Sequence, residues 1–405
     1  MFTFHKAGRK HMKRKLTISL IFLLLFSLFS AKSWIVVQGE PKNFNYSIKL
    51  TITYVNPKGN PRIWNLTEED QTISLFMDNA WQSVDLKDST YPLENLKNDT
   101  DGNNIAVLDF PKEQLFPEEN VSYTAEYRVV SKPRTIANIS EDESGTLEAI
   151  PPGLKENFTH AEGPWLVNDP TLVKLAHEIA GNETKVLKII KGFVGWIKKN
   201  ITYTDTHEVP FYPNETLSAG EGDCDDQAIL LITLSRIMGI PSHLQIGTIY
   251  MPENALVNET YWENHVRVVR RKIGWHGWAM VYVPPWGWLP VDLTFVRGDF
   301  ADPLNTIRHG AVVDQNAIQY MNFSKVDYVA VSRLQKTFIL ENGFFVDLED
   351  AMTEVAQNGV TGRFDPAIAV TLVVIIAVFF ASSFVIARHW RKRLQETEVP
   401  PFPSS

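Results

Sequence analysis

Residues 222–239 read GDCDDQAILLITLSRIMG, and this stretch supplies the central helix of the predicted fold. Its apolar run indicates a helix, which Gly239 and Pro241 are expected to close. Asp223 suits the N-cap position, so Cys224 falls in the first turn. Unpaired N–H groups at a helix start lower the pKa of a thiol, whereas the neighbouring carboxylates raise it. A reactive thiolate at this position therefore needs a histidine partner.

Residues 276–295 read HGWAMVYVPPWGWLPVDLTF and predict two neighbouring strands. His276 begins the first of these strands, and Asp292 closes the second. Antiparallel pairing would bring Asp292 to His276, where its carboxylate can fix the imidazole tautomer. The backbone N–H of Cys224 is then a candidate oxyanion donor. His265 also begins a strand-like run and is the main rival base.

Each of these residues also has a plain structural interpretation. Cys224 is the only cysteine, so it is a packing residue, an intermolecular link or a reactive group. A histidine on a strand is commonly a surface residue, and an aspartate after a strand is commonly a turn or cap residue. The combination of the three is more specific than any one of them.

In combination, GDCDDQAILLITLSRIMGIPSH and HGWAMVYVPPWGWLPVDLTF resemble the Cys, His and Asp boxes of the transglutaminase-like superfamily. The resemblance covers roughly residues 165–296. It implies a papain-like fold in which Cys224 is the nucleophile, His276 the base and Asp292 the residue that orients the base. Gly277 departs from the pattern, because the family often has Ala or Ser there. The family includes transglutaminases, proteases and peptide:N-glycanases, so the resemblance does not select one reaction.

The rest of the chain predicts an α+β protein in which a β-sandwich-like region precedes the transglutaminase-like domain. YSIKLTITYV and VSYTAEYRVV alternate with period two, whereas PTLVKLAHEIAG and TKVLKIIKGFVGWIKKN have helical spacing. The polar stretch 136–164 reads as a linker, and a helix is expected near residues 346–357. The predicted extracytoplasmic regions are the β-rich domain 38–150, the catalytic domain 165–300 and an extension 301–365.

Both ends of the chain predict contact with a membrane. Residues 366–387 are uncharged and long enough to cross a bilayer, and the basic tail 388–405 is expected in the cytoplasm. Residues 1–37 combine basic residues with an apolar run, which is typical of a signal peptide or a signal anchor. Cleavage after Ser33 and retention as an anchor both remain open. In both cases we expect a protein of the cell membrane with the bulk of the chain extracytoplasmic, and both termini are cytoplasmic if the segment is retained.

An excess of glycosylation sequons agrees with export, since chance would give about three. The alternative is compositional drift in an Asn-rich chain. The candidate acceptor residues are Asn45, Asn65, Asn98, Asn120, Asn138, Asn157, Asn182, Asn200, Asn214, Asn258 and Asn322.

The acidic set Glu221, Asp223, Asp225 and Asp226 does not have EF-hand spacing, so we interpret it as capping and solvated carboxylates. The tryptophan cluster at 275, 278, 286 and 288 fits a substrate cleft and sheet packing equally well. We find no phosphate loop, zinc-ligand spacing or serine elbow, and therefore expect no cofactor and no metal.

The sequence thus predicts a membrane-anchored cysteine enzyme that acts on amide bonds through an acyl-enzyme, by hydrolysis or acyl transfer. Its partners would be peptide or protein substrates, including surface glycoproteins, and the lipid membrane. A net charge of −8 without a basic stripe argues against a nucleic acid partner. The alternative is a non-catalytic surface protein that uses the same fold for adhesion or assembly.

Overall fold

The structure is a computed structural model that describes residues 43–356, except for 135, 137, 206, 297–300 and 314. The predicted N-terminal segment 1–37, the transmembrane helix 366–387 and the tail 388–405 lie outside the described residues. Within the described part of the chain, no helix is long and apolar enough to cross a membrane.

The described elements follow an α+β order, with strands dominating the first part of the chain and helices the middle. The helices are α1 (Glu68–Gln71), α2 (Pro152–Phe158), α3 (Pro170–Ala180), α4 (Val186–Asn200), α5 (Pro213–Ala219), α6 (Cys224–Ile237), α7 (Asn305–Arg308) and α8 (Tyr328–Asn342). The strands are β1 (Phe44–Val55), β2 (Trp64–Asn65), β3 (Thr72–Ser74), β4 (Gln82–Ser89), β5 (Leu93–Asn98), β6 (Asn104–Leu108), β7 (Gln114–Leu115), β8 (Asn120–Ser131), β9 (Thr202–Tyr203), β10 (Glu221–Gly222), β11 (Ser242–Tyr250), β12 (Val257–Tyr261), β13 (Val266–Arg271), β14 (Ile273–Val283), β15 (Gly287–Val291), β16 (Ala317–Phe323) and β17 (Phe345–Glu354).

The β-rich N-terminal region is built on a six-stranded sheet in the order β12-β13-β17-β1-β8-β4. The long strands β1 and β8 pair antiparallel along their whole length, as their period-two alternation predicts. A smaller sheet in the order β3-β6-β5 shares an apolar core with the large one. Ile48 and Tyr127 of the large sheet and Ile73 and Leu108 of the small sheet are buried in that core.

The large sheet also corrects two expectations from the sequence. Segment 345–354 is the strand β17, not a helix, because it pairs with β1 on one side and β13 on the other. Hydrogen bonds along both edges outweigh a weak local helical pattern. The predicted boundaries at residues 150 and 300 do not separate the strands of this sheet, since β12, β13 and β17 come from beyond residue 150.

The second half of the described chain is a helical layer on an antiparallel sheet in the order β15-β14-β11-β16. Helix α6 is buried on all sides, as its uninterrupted apolar run predicts. Its residues Ile229 and Ile232 share one core with Ala279 and Val281 of β14. Helices α3 and α4 pack against α6 from the other side. This packing fixes the N-terminus of α6 relative to β14.

The segment 136–164 is not a free linker. Ile139 and Ile150 are almost completely buried in the core around α6, and Trp165 follows directly after the segment with its ring fully buried. The polar composition of the segment concealed these apolar anchors, which tie it to the helical layer.

Candidate active site

Cys224 is the first residue of α6, and its side chain is half-buried. Asp223 is the N-cap: its carboxylate accepts the Asp226 N–H at 3.3 Å, and Asp226 Oδ2 accepts the Asp223 N–H at 3.0 Å. Such reciprocal capping satisfies two of the free N–H groups at the helix start. The N-cap predicted from the sequence is therefore present, and it fixes the backbone that carries Cys224.

Asp226 is completely buried and anchors the preceding loop to the helix start. Its Oδ1 accepts the Phe211 N–H at 2.7 Å, and its Oδ2 lies 2.9 Å from Nε2 of His207. Burial, followed by the nearby charge of Asp225, raises the pKa of Asp226 to about 6. Interpreting this acidic set as solvated carboxylates is wrong for Asp225 and Asp226, because both are buried.

Asp225, the residue after Cys224, is a second buried carboxyl group at the start of α6. Burial raises its pKa well above the usual range, and hydrogen bonding to Asp223 acts in the same direction. The Tyr328 hydroxyl, from the start of α8, hydrogen-bonds to Asp225. Two carboxyl groups in contact favour a shared proton, because both charges cannot be held close together in a buried site.

His276 and Asp292 meet in the interior of the domain. His276 Nε2 lies 2.9 Å from Asp292 Oδ2, and the Asp292 side chain is completely buried. The other carboxylate oxygen accepts the backbone N–H groups of Thr294 and Phe295 at 3.1 and 3.0 Å. The carboxylate is thus held by the turn after β15 while it orients the imidazole. With Nε2 engaged, Nδ1 is the ring nitrogen left for proton transfer.

Cys224 contacts β14 next to His276. The backbone N–H of Gly277 donates to the cysteine sulfur, and the charge of Asp292 also acts on the thiol. A Cβ on Gly277 would lie 3.1 Å from the Asp225 Cβ, which is tighter than an ordinary contact. The departure from the family pattern at Gly277 therefore has a packing reason. The structure brings the three predicted triad residues to one place, while their catalytic role stays a prediction.

The sulfur of Cys224 is surrounded by acidic groups. Burial raises the pKa of the Cys224 thiol well above its ordinary value, and Asp225 and Asp223 raise it further. The Gly277 N–H acts in the opposite direction but does not outweigh them. The thiol form therefore prevails in this structure, and a proton must leave the sulfur when it attacks a carbonyl.

We expect Asp225→Asn to lower the apparent pKa of Cys224 by about one unit, because Asp225, once ionised at the alkaline pH where the thiol titrates, opposes the thiolate more than any other carboxylate. The measurement is the rate of iodoacetamide alkylation of the full-length chain across pH. The matched control is Glu221→Gln, which changes an exposed carboxylate two residues further from the cysteine in the chain. An unchanged or higher apparent pKa in Asp225→Asn would contradict the prediction.

Tyr203 is a site residue that the sequence reasoning missed. It lies on the short strand β9, which pairs with β10 directly before the cysteine, and its side chain is exposed. Partial burial, followed by the charges of Cys224 and Asp223, raises the pKa of Tyr203 to about 12. The phenol therefore stays a neutral donor at the edge of the site. No local sequence signal marks this contact, because it depends on pairing between segments 202–203 and 221–222.

The other residues considered from the sequence lie outside this arrangement. His265 Nδ1 lies 2.7 Å from the Phe344 carbonyl, and its ring stacks on Phe345. Trp278 is fully buried beside His276, with ring centroids 5.8 Å apart, so it is a packing residue. Trp288 packs in a T-shaped arrangement on neighbouring aromatic rings.

The cluster of His207, Asp223 and Asp226 has the residue types of a cation site, with ligand atoms within 4.8 Å of one another. These atoms already serve the helix cap and the loop before it, through contacts with the Asp223, Asp226 and Phe211 N–H groups. The cluster is accounted for by those contacts and requires no ion.

Gly247 positions the histidine strand, because it lies opposite His276 in the pairing of β11 with β14. A Cβ at this position would lie 2.3 Å from the Ile318 carbonyl oxygen and 2.7 Å from the Trp278 ring. Only glycine fits such a close approach of three elements. The sheet therefore packs tightly around the face that carries His276.

We expect Gly247→Ala to destabilise the domain by about 1–3 kcal/mol, because the new methyl group must displace backbone and a buried ring. Urea unfolding measures the effect. Gly153→Ala is the matched control, since a Cβ there meets nothing within 4 Å. Equal stability of the two variants would show that the sheet can open at Gly247 without cost.

Comparison with known proteins identifies the class of this domain. Residues 173–293 match the family model of the transglutaminase-like superfamily, so the chain contains a transglutaminase-like domain. The matched segment includes Cys224, His276 and Asp292. The resemblance inferred from the sequence is confirmed at the level of the superfamily.

Solved structures similar to this chain come from several organisms. A candidate cysteine protease from Cytophaga hutchinsonii is 14% identical, covering 80% of this chain and 95% of its own, with a TM-score of 0.49. The periplasmic domain of TgpA from Pseudomonas aeruginosa is 14% identical, covering 66% of this chain and 92% of its own, with a TM-score of 0.30. Red sea bream transglutaminase is 10% identical, covering 63% of this chain and 48% of its own, with a TM-score of 0.27. Among curated proteins, none matches this chain in sequence.

Proposed function

We propose that this chain is a membrane-anchored, extracytoplasmic cysteine enzyme that acts on amide bonds of peptides or proteins through an acyl-enzyme. The observation that carries the proposal is the buried contact between His276 and Asp292, adjacent to the cysteine at the start of α6. A nucleophile, a base and a group that orients the base are the parts that acyl transfer requires.

In the proposed mechanism, Cys224 attacks the substrate carbonyl as its proton passes to Nδ1 of His276. Asp292 stabilises the imidazolium that forms, and the imidazolium then gives the proton to the leaving amine. The backbone N–H of Cys224, in the first turn of α6, is one donor for the oxyanion. Attack by water on the acyl-enzyme gives hydrolysis, and attack by an amine gives a crosslink.

One observation favours the alternative of a non-catalytic adhesion or assembly protein. Burial and two neighbouring carboxyl groups raise the pKa of Cys224, whereas an activated cysteine commonly has a lowered pKa. Catalysis is compatible with a raised pKa of Cys224, because His276 can accept the proton during attack, as the base does in serine enzymes. The alternative makes a different prediction, since it requires no reaction at the sulfur.

The experiment that separates the two uses full-length protein in detergent, a peptide library and a fluorescent primary amine. We expect peptide cleavage or amine incorporation, together with an acyl adduct on Cys224 detected by mass spectrometry. Cys224→Ala is the negative control. Absence of turnover and of adduct from the wild-type protein, combined with binding to a protein partner, would support the adhesion alternative.

The proposed location makes a prediction about glycosylation. Nine of the eleven sequon asparagines are exposed, whereas Asn45 is buried and Asn322 is half-buried. Asn322 Oδ1 also accepts a hydrogen bond from Gln245 at 2.8 Å. After passage through a glycosylating secretory pathway, we expect glycans at several exposed sites and none at Asn45 or Asn322. Mass spectrometry of peptides after enzymatic deglycosylation measures this; a fully unglycosylated chain or a glycan at Asn45 would contradict it.

A further inference from the structure

A cavity of about 480 Å³ lies on the face of the four-stranded sheet that also carries His276. On β14, His276, Trp278 and Met280 share this face because side chains alternate along a strand. The Trp278 Nε1–H donates to Gln245 at 3.1 Å, and Gln245 and Met280 both line the cavity. Trp278 therefore contacts both the imidazole of His276 and a residue that lines the cavity.

The side chain of Arg134 lines the cavity and has hydrogen-bond donors without acceptors among the described residues. Arg134 reaches it from the segment after β8, with its guanidinium carbon 5.2 Å from the centre of the Trp81 ring. Its Nε and Nη1 atoms are buried and have no hydrogen-bond partner among the described residues. A buried donor without a partner is costly, and a charged one more so. Burial lowers the pKa of Arg134 to about 10. This value is still well above neutral pH, so the guanidinium stays protonated.

Arg236 shows how a structural buried arginine is satisfied in the same molecule. Its guanidinium donates to the Ser242 carbonyl twice, at 2.9 and 2.7 Å, and to two further carbonyl oxygens. It also stacks on Trp165 at 4.5 Å. Arg134 has the aromatic ring but lacks carbonyl acceptors for its Nε and Nη1 within the described chain. The described residues therefore leave part of the hydrogen-bonding capacity of Arg134 unused, in contrast to Arg236.

The acid that lines this cavity is not an acceptor for the Arg134 Nε and Nη1 atoms. Asp101 is engaged elsewhere, because its carboxylate accepts the Ser324 hydroxyl and the backbone N–H groups of Lys325 and Val326. His243, another lining residue, carries no charge at neutral pH, since burial lowers its pKa to about 3. Neither Asp101 nor His243 therefore accepts a hydrogen bond from the Arg134 Nε or Nη1 atoms.

The remaining lining residues indicate the kind of molecule that would carry the anionic group. Phe158, Met280 and Trp288 supply apolar surface, while Gln245 and Asn322 supply amide groups. A guanidinium group binds a carboxylate through charge-assisted hydrogen bonds, and apolar walls bind a hydrocarbon or aromatic body. We propose that this cavity binds the carboxylate of a ligand with an apolar body, with Arg134 as the anchor. Binding does not require reaction at Cys224, so this proposal is independent of the proposed catalysis.

The test measures binding to the full-length protein by calorimetry and by the ligand-induced rise in melting temperature. The probes are N-acetyl-L-phenylalanine, its neutral amide and the tripeptide Gly-Gly-Phe. We expect the carboxylate probe to bind at least tenfold more tightly than the amide. Binding of the tripeptide identifies a peptide C-terminus as the source of the carboxylate, and binding of N-acetyl-L-phenylalanine alone identifies a small free acid.

Arg134→Gln is expected to weaken binding of the carboxylate probe at least tenfold, whereas Arg128→Gln, on an exposed position of β8, leaves it unchanged. Without ligand, Arg134→Gln should melt at the same temperature as wild type or higher, because a structural arginine would lower it on removal. If Arg134→Gln does not fold, Arg134→Lys keeps the charge but loses the planar guanidinium and its several fixed donors, and it should bind several-fold more weakly. Equal binding of acid and amide, no binding of either, or full binding by the Arg134 variants would overturn the proposal.

Discussion

Replacement of His276 by alanine is expected to lower kcat by about 10³- to 10⁴-fold in the peptide cleavage or amine transfer assay. The expectation follows from the resting state of the cysteine. Because burial and two carboxyl groups hold Cys224 in its thiol form, attack on a carbonyl needs a base at the moment of reaction. Asp292, which engages Nε2 of His276 at 2.9 Å, leaves Nδ1 to serve as that base.

His265→Ala is the matched control for this prediction. It removes a histidine of the same domain that contacts Phe344 and Phe345 and takes no part in the proposed site. We expect its kcat to equal that of the wild type, and circular dichroism of both variants to be unchanged. If His265→Ala and His276→Ala lowered kcat equally, the assignment of His276 as the base would fail. If neither did, the cysteine would react without a histidine base.

The resemblance to a known family gave the triad residues, but not the environment that sets their chemistry. Cys224, His276 and Asp292 could be named because they lie in short segments with a recognisable pattern. The burial of Asp225 could not be inferred from sequence, because a carboxylate cluster before a helix is usually a solvated cap. Its burial depends on contacts with Tyr328, more than a hundred positions later in the chain.

Local sequence patterns also do not show which distant strands pair with one another. The period-two alternation of β1 and β8 predicted two strands, and the structure has them. A helix is predicted near residues 346–357, where the structure has the strand β17, because local spacing carries no information about β1 and β13 on either side. Arg134 illustrates a third limit: a basic residue in a polar stretch gives no sign that two of its nitrogens are buried without acceptors among the described residues.

Asp226→Ala is expected to destabilise the domain by about 3–5 kcal/mol, the range for breaking a buried charged network. The substitution leaves the backbone N–H groups of Phe211 and Asp223 without acceptors and removes the contact with His207. Asp226→Asn keeps one oxygen acceptor and should lose less. Urea unfolding of the full-length chain measures both variants, with Asp142→Asn, at an exposed position, as the control.

The titration of Asp226 also determines how the free energy of unfolding is expected to change with pH. Burial raises the pKa of Asp226 in the folded protein to about 6, above the value of 3.8 that we take for the unfolded chain. The folded state therefore binds this proton more tightly, so the contribution is fully present below pH 3.8 and is lost as the pH rises through about 6. The raised pKa values of Asp223 and Asp225 act in the same direction.

We therefore expect the wild-type unfolding free energy to fall by up to about 3 kcal/mol between pH 4 and pH 7.5, the equivalent of roughly two pKa units. Asp226→Asn should flatten this dependence, because it removes the titrating group, whereas Asp142→Asn should retain it. A wild-type domain that gains stability over this pH range would mean that Asp226 is ionised and fully stabilised by the Phe211 and Asp223 N–H groups. In that case the acidic environment inferred for Cys224 would carry a permanent negative charge, and His276 would have to offset it for the thiolate to form.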